Sequence, residues 1–363
     1  MKKLIYILVI FVVLLIVASP LMTFAEYING ETEISQQIDS IMSDYDISYT
    51  YDDIGNLSFS ELTDVIINSV KSRLSAPLKV LRTMIIVVLF TAVIKSAGES
   101  IFSGENSQLY NMVCVITAVT VIMPQLFTIY SLSFEAITRG GKFILVFVPV
   151  FVGVTIIAGG ITTAGIYNLL ILGASELIVN LSESFLIPVV SLTAVMAVSG
   201  SVFSSISTES IINLLKKIIT LGMTISMTLF TGFVSMKCTL GGKADGVASK
   251  TARFLISGAV PVVGGAVSDA YATVKSSFDV IQGTVGTLGI VAMVIIMLPP
   301  VIELLVFRIV MWIGMMTAEL FSTESLAKLM KGIDSGLAVA QSVLVCYSVI
   351  FVLCTGILMK CFN

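Results

Sequence analysis

Histidine is absent from this chain. That removes the Ser-His and Cys-His nucleophile pairs, the imidazole general base and every His-containing zinc site. Charge is scarce as well: Asp, Glu, Lys and Arg make up 12% of 363 residues, against about 25% in soluble domains. No run of Lys and Arg is long enough to grip a phosphate backbone, so no nucleic-acid partner is expected. Five cysteines (Cys114, Cys238, Cys346, Cys354, Cys361) show no CxxC spacing and read as packing residues. No catalytic, cofactor-binding or metal-ligating set emerges, and the chain reads as non-enzymatic.

What is plentiful is apolar. Hydrophobic residues account for 56% of the chain and the mean hydropathy is +1.04. Runs of roughly 20 apolar residues, the length a helix needs to cross hydrocarbon, recur along it. They are longer than barrel strands and do not alternate. The fold class is therefore all-α: a polytopic α-helical membrane protein whose main solvent is the lipid bilayer.

Three parts follow in order. Residues 1–25 have the form of a signal peptide: Lys2 and Lys3, an apolar core from Leu4 to Ala18, Pro20, then Thr23-Phe24-Ala25 as a cleavage site. An uncleaved first helix is the alternative, and either way Glu26 onward is expected outside the cytoplasm. Residues 26–79 are the extracytoplasmic segment. Its first part, 26–56, holds eight Asp or Glu and no Lys or Arg. Ile34, Ile38 and Ile41 share a helical face there. Ser58-Phe59-Ser60-Glu61 then has capping-box spacing ahead of Leu62, Val65, Ile66, Val70 and Leu74, an amphipathic helix that Pro77 is expected to end.

Residues 80–363 form the multi-pass domain. Nine apolar runs are read: Val80–Ala97, Leu109–Tyr130, Phe143–Thr163, Ala164–Leu181, Phe185–Phe203, Ile218–Met236, Gly286–Ile302, Glu303–Phe321 and Leu337–Met359. About 7–9 crossings are expected from them. Basic residues should mark cytoplasmic loops. Yet Lys216 and Lys217 precede the run Ile218–Met236, while Lys237, Lys243, Lys250 and Arg253 follow it. Charge alone does not orient that helix.

Two motif-like strings carry no chemistry. GGKADGVASKT (241–251) places Ser249 where a phosphate-binding loop needs glycine, and no strand precedes it. Ser325-Leu326-Ala327-Lys328 fits a Ser-x-x-Lys spacing without the accompanying elements, and reads as a solvated helix face. Charges among apolar runs are more telling, because a charge at a helix centre in lipid costs about 2.5–3.5 kcal/mol. Glu176, Glu303, Arg308 and Glu319 are the candidates, with Glu303 and Arg308 about a turn apart. They line a hydrophilic path, or they sit at helix ends and hold helices together.

Interrupted segments form a second class of candidate. KFILVFVPVF (142–151), FLIPVVS (185–191) and RFLISGAVPVVGG (253–265) each open on Phe and reach Pro-Val, though at unequal spacing. Proline removes a backbone hydrogen bond, and paired breaks mark substrate paths in transporters. Glycines at 283, 286 and 289 serve close helix packing. The uncharged stretch Phe254–Ser268, flanked by Arg253 and Asp269 and broken at Pro261, Gly264 and Gly265, reads as a re-entrant or broken helix buried in the bundle. A short span is the alternative.

The same stretch carries a resemblance. Lys250-Thr251-Ala252-Arg253-Phe254-Leu255, then Val260-Pro261-Val262-Val263-Gly264-Gly265-Ala266 and Ser268-Asp269-Ala270, resembles the signature region of the stage III sporulation protein AE family. The likeness is sharpest over 250–277, and the order of elements fits nearly the whole chain. It implies a membrane component of endospore-forming bacteria, in the mother-cell membrane surrounding the forespore. There it would belong to a secretion-like channel complex with a cytoplasmic ATPase, ring-forming subunits and other membrane subunits. It brings no catalytic residue.

Overall fold

The computed structural model describes residues 59–98, 106–202, 208–259 and 264–362. Residues 1–25, expected to form a signal peptide, the acidic part 26–56 and Pro261 lie outside them. Every regular element described is helical: α1 Phe59–Gly98, α2 Asn106–Ile157, α3 Ile161–Leu181, α4 Ile187–Val202, α5 Thr208–Ala259, α6 Gly264–Leu320 and α7 Glu324–Phe362. A π-helical turn, Ser182–Leu186, joins α3 and α4 into one rod. Six rods result, each long and apolar enough to cross a membrane.

The nine apolar runs fall on these six rods. Leu109–Tyr130 and most of Phe143–Thr163 share α2, while Gly286–Ile302 and most of Glu303–Phe321 share α6. The polar links between paired runs stay helical. In α2 the link carries Glu135 and Arg139, which pair one turn apart on the exposed surface. A continuous rod crosses a bilayer once at most, so the described residues hold six candidate crossings by length and composition.

Proline shapes the rods less than expected. Pro77 does not end its helix; α1 runs through it unbroken to Gly98. Pro124, Pro149, Pro299 and Pro300 likewise lie inside α2 and α6. One proline forfeits one intrahelical bond, and in a packed apolar bundle neighbouring turns hold the helix together. Of the three look-alike Pro-Val stretches, two fall on described prolines: Pro149 sits in continuous helix and Pro188 follows the π turn, while Pro261 lies outside the described residues.

Successive rods run up and down. Short links at Ala158–Gly160 and Phe321–Thr323 force the reversals, with positive φ at Gly159 (94°) and Ser322 (56°). Lys95 Nζ donates to the Ser322 carbonyl at 2.8 Å, tying the end of α1 to the α6–α7 turn. The most apolar window of α7 is 56% buried and that of α5 only 11%, which makes α7 the central rod and α5 a peripheral one. Around α7 the core is aromatic: Phe143, Phe147, Phe151, Tyr167 and Phe351 stack or meet edge to face with centroids 5.4–6.1 Å apart. Cys114, Cys238, Cys346 and Cys354 are buried free thiols within this packing.

Small residues set the spacing of the rods. A Cβ on Gly289 would fall 2.1 Å from the Phe147 ring, and one on Gly286 would fall 2.7 Å from Met359 Sδ. Gly283, the third of that series, has nothing within 4 Å and plays no such part.

Candidate functional site: a charged core beside a polar cavity

Four polar residues meet where α5, α6 and α7 pack. Arg308 of α6 donates from Nε to Asp334 Oδ1 at 2.7 Å and from Nη1 to Gln341 at 2.6 Å, both on α7. Lys216 of α5 approaches the other oxygen of Asp334 at 4.0 Å. The side chains of Arg308 and Asp334 are only 14% and 13% exposed. The guanidinium also lies over the Trp312 ring, 5.3 Å from its centroid. Helical spacing builds the set: Asp334 and Gln341 are two turns apart on one face of α7, so a single arginine reaches both. Tyr130, a buried residue of α2, has a hydroxyl with no hydrogen-bond partner among the described residues.

One turn toward the α6–α7 link lies a cavity of about 290 Å³ between α4, α5 and α7. Asn213, Glu209, Lys328, Lys331 and Ser335 supply its polar lining. Lys331 pairs with Glu209 across the cavity from α7 to α5. Gly332 and Gly200 bring the walls together: a Cβ would fall 2.4 Å from Ala197 Cβ at the first and 1.9 Å from Thr208 Oγ1 at the second.

The sequence candidates divide sharply. Arg308 is at the centre of the network, and the carboxylate that receives its Nε–H is Asp334 on the next helix. Glu303 is half-buried on α6, five residues before Arg308. Glu176 and Glu319 are exposed on α3 and at the end of α6. Asp334, Gln341 and Lys216 went unread because nothing in a linear pattern marks them; their pairing is across helices. Lys328, read as part of a solvated face, lines the cavity.

Helix α5 continues to Ala259 and α6 begins with Gly264 and Gly265; residues 260–263 lie outside the described residues. Arg253 and Asp269 are both exposed and lie at one end of the molecule. On the α5 side, Phe254 is 75% and Leu255 61% exposed. The reason is length. Lys275 Nζ bonds Ser249 Oγ at 3.1 Å, and the same side chain lies against Gly159 in the α2–α3 turn. Beyond that level, among the described residues, α5 and α6 alone continue, side by side.

On α5, Asp245 caps another helix. Its Oδ1 accepts from the Thr162 amide and its Oδ2 from the Thr163 amide, each at 2.9 Å, and Oδ2 also accepts from the Thr163 hydroxyl at 2.8 Å. A carboxylate at the start of α3 satisfies donors left open by the helix and complements its dipole. The string GGKADGVASKT is thus mid-helix; its Gly241 lets α5 lie against the Thr163 backbone.

A six-rod bundle with a charged core defines a polytopic α-helical membrane protein. The family model described as Stage III sporulation protein AE (spore_III_AE) matches residues 45–361, and the chain belongs to that family. Among curated proteins it is similar to the Stage III sporulation protein AE of Bacillus subtilis (strain 168), at 23% identity over 227 residues. That alignment covers 62% of this chain and 57% of the relative, so the match spans little more than half the relative's length. No solved structure matches the chain.

Proposed function

We propose that this sporulation-family membrane protein is a non-enzymatic subunit of a secretion-like complex crossing the envelope between mother cell and forespore. In this reading it resides in the mother-cell membrane around the forespore and assembles with ring-forming subunits, a cytoplasmic ATPase and other membrane subunits. It thereby sustains forespore development and late gene expression. Family membership supports the sporulation role. The observation that carries a conduit over a plain anchor is the Arg308–Asp334–Gln341–Lys216 network beside a polar cavity. A bundle that only anchors gains little from charges placed where their desolvation costs several kcal/mol.

The test has two arms. A tagged chain should co-purify the ring and ATPase subunits from sporulating cells, and the paired change Arg308→Met with Asp334→Leu, which leaves no charge of the pair buried alone, should lower spore yield while leaving that co-purification intact. Normal sporulation of a strain lacking the gene would overturn the assignment. A second reading, a stand-alone secondary transporter, rests on the same network; solute flux by the purified chain alone in liposomes would favour it.

A further inference from the structure

We propose that the adjoining outer faces of α2 and α3 are the docking surface for a second copy of this chain. Glu135, Arg139 and Lys142 recur at helical spacing along one side of α2, and Glu176 and Glu183 along one side of α3 and the π turn. All five are exposed. They stand well away from the rod ends, inside stretches apolar enough to cross a membrane, Met112–Ile157 and Ile161–Val202. Glu135 and Arg139 pair with each other. Lys142, Glu176 and Glu183 make no ion pair among the described residues. Exposed Leu145 and Leu177 flank them. Such a face meets lipid, where a charge at a helix centre costs about 2.5–3.5 kcal/mol, and an opposite charge beside it offsets that cost.

The charges match by height, which is what a second copy requires. Helices α2 and α3 run antiparallel from the tight turn Ala158–Gly160, and Lys142 and Glu176 lie equally far along them, each about 22 Å from it. The rods touch at that height: a Cβ on Gly141 would fall 2.8 Å from Val179 Cγ2 and 3.8 Å from Ser175 Oγ. Two identical chains inserted the same way are related by an axis along the rods, and that axis keeps every residue at its own height. Turning the α2–α3 face onto itself sets α2 of each copy against α3 of the other. Lys142 then meets Glu176 of the second copy, and Glu176 meets its Lys142. Arg139 stands between the heights of Glu176 and Glu183 and adds a cation against both. The surface is thus complementary to itself in charge and apolar around its charges. The contact does not depend on the export reading above.

Two charge reversals test this. The full-length chain, tagged with a donor or an acceptor dye, is reconstituted in phosphatidylcholine liposomes over a range of dilutions, and energy transfer reports self-association. The unaltered chain should associate saturably. Lys142→Glu and Glu176→Lys each set like charges together twice per dimer, and each alone should weaken association at least about tenfold. Both should keep the helix content and Tm of the unaltered chain, because the two side chains are exposed. Mixed with one another, the two variants should recover association to within about threefold of the unaltered chain, since every facing pair is then opposite in charge. An ion pair closed within a single chain gives no such recovery. Undiminished association of the single variants, or no recovery on mixing, would overturn the contact. So would an unaltered chain that stays monomeric at every dilution, which would leave this face to lipid headgroups or to a different subunit.

Discussion

At the scale of single residues, the decisive feature is that buried charges occur as partners. Asp334→Asn should destabilise the chain by about 3–5 kcal/mol, because Arg308 would stay buried without its carboxylate. Changing both, with Arg308→Met and Asp334→Leu, should cost less than the single change, which thermal unfolding in detergent would reveal. If the double change were worse than either single one, the network would be contributing net stability. Gly289→Leu should also unfold readily, since its first carbon already meets the Phe147 ring. Sequence alone located Arg308 as an intramembrane charge, because a cation amid apolar residues is conspicuous. It did not locate Asp334, Gln341 or Lys328. They sit in an ordinary amphipathic pattern, and only the packing of α5, α6 and α7 shows which face turns inward.

At the scale of elements, the rods are held by caps and turns at their ends. Asp245→Ala should remove three hydrogen bonds from the start of α3 and cost about 1–2 kcal/mol. Hydrogen exchange would report it as faster exchange at Thr162 and Thr163; unchanged protection there would rule out the capping role. Ser322 is held at φ 56°, where a side chain is strained, so Ser322→Gly should stabilise the α6–α7 turn by about 0.5–1 kcal/mol. Helix content and the apolar runs were legible from periodicity and composition. Helix ends were not. Proline misled at Pro77, because a loss of one bond is local while the packing that holds α1 together comes from other rods. Polar links misled in α2, where Glu135 and Arg139 satisfy each other without bending the chain.

At the scale of the molecule, up-and-down rods assign every link to one of two ends. The α5–α6 link and the end of α7 share one, while the α6–α7 turn lies at the other. Single cysteines at Phe254 and Asp269, in a chain cleared of its native thiols, should react with an impermeant reagent from one face. A cysteine at Ser322 should react from the opposite face. Reaction of all three from the same face would mean that α6 does not cross, and the six-rod arrangement would fail as a membrane topology. Rod length carries a further consequence. From Lys275 to Gly264, α6 continues past the α2–α3 turn for about 16 Å, and α5 keeps pace with it. Among the described residues, the ends of α5 and α6 therefore stand clear of the other rods by that height.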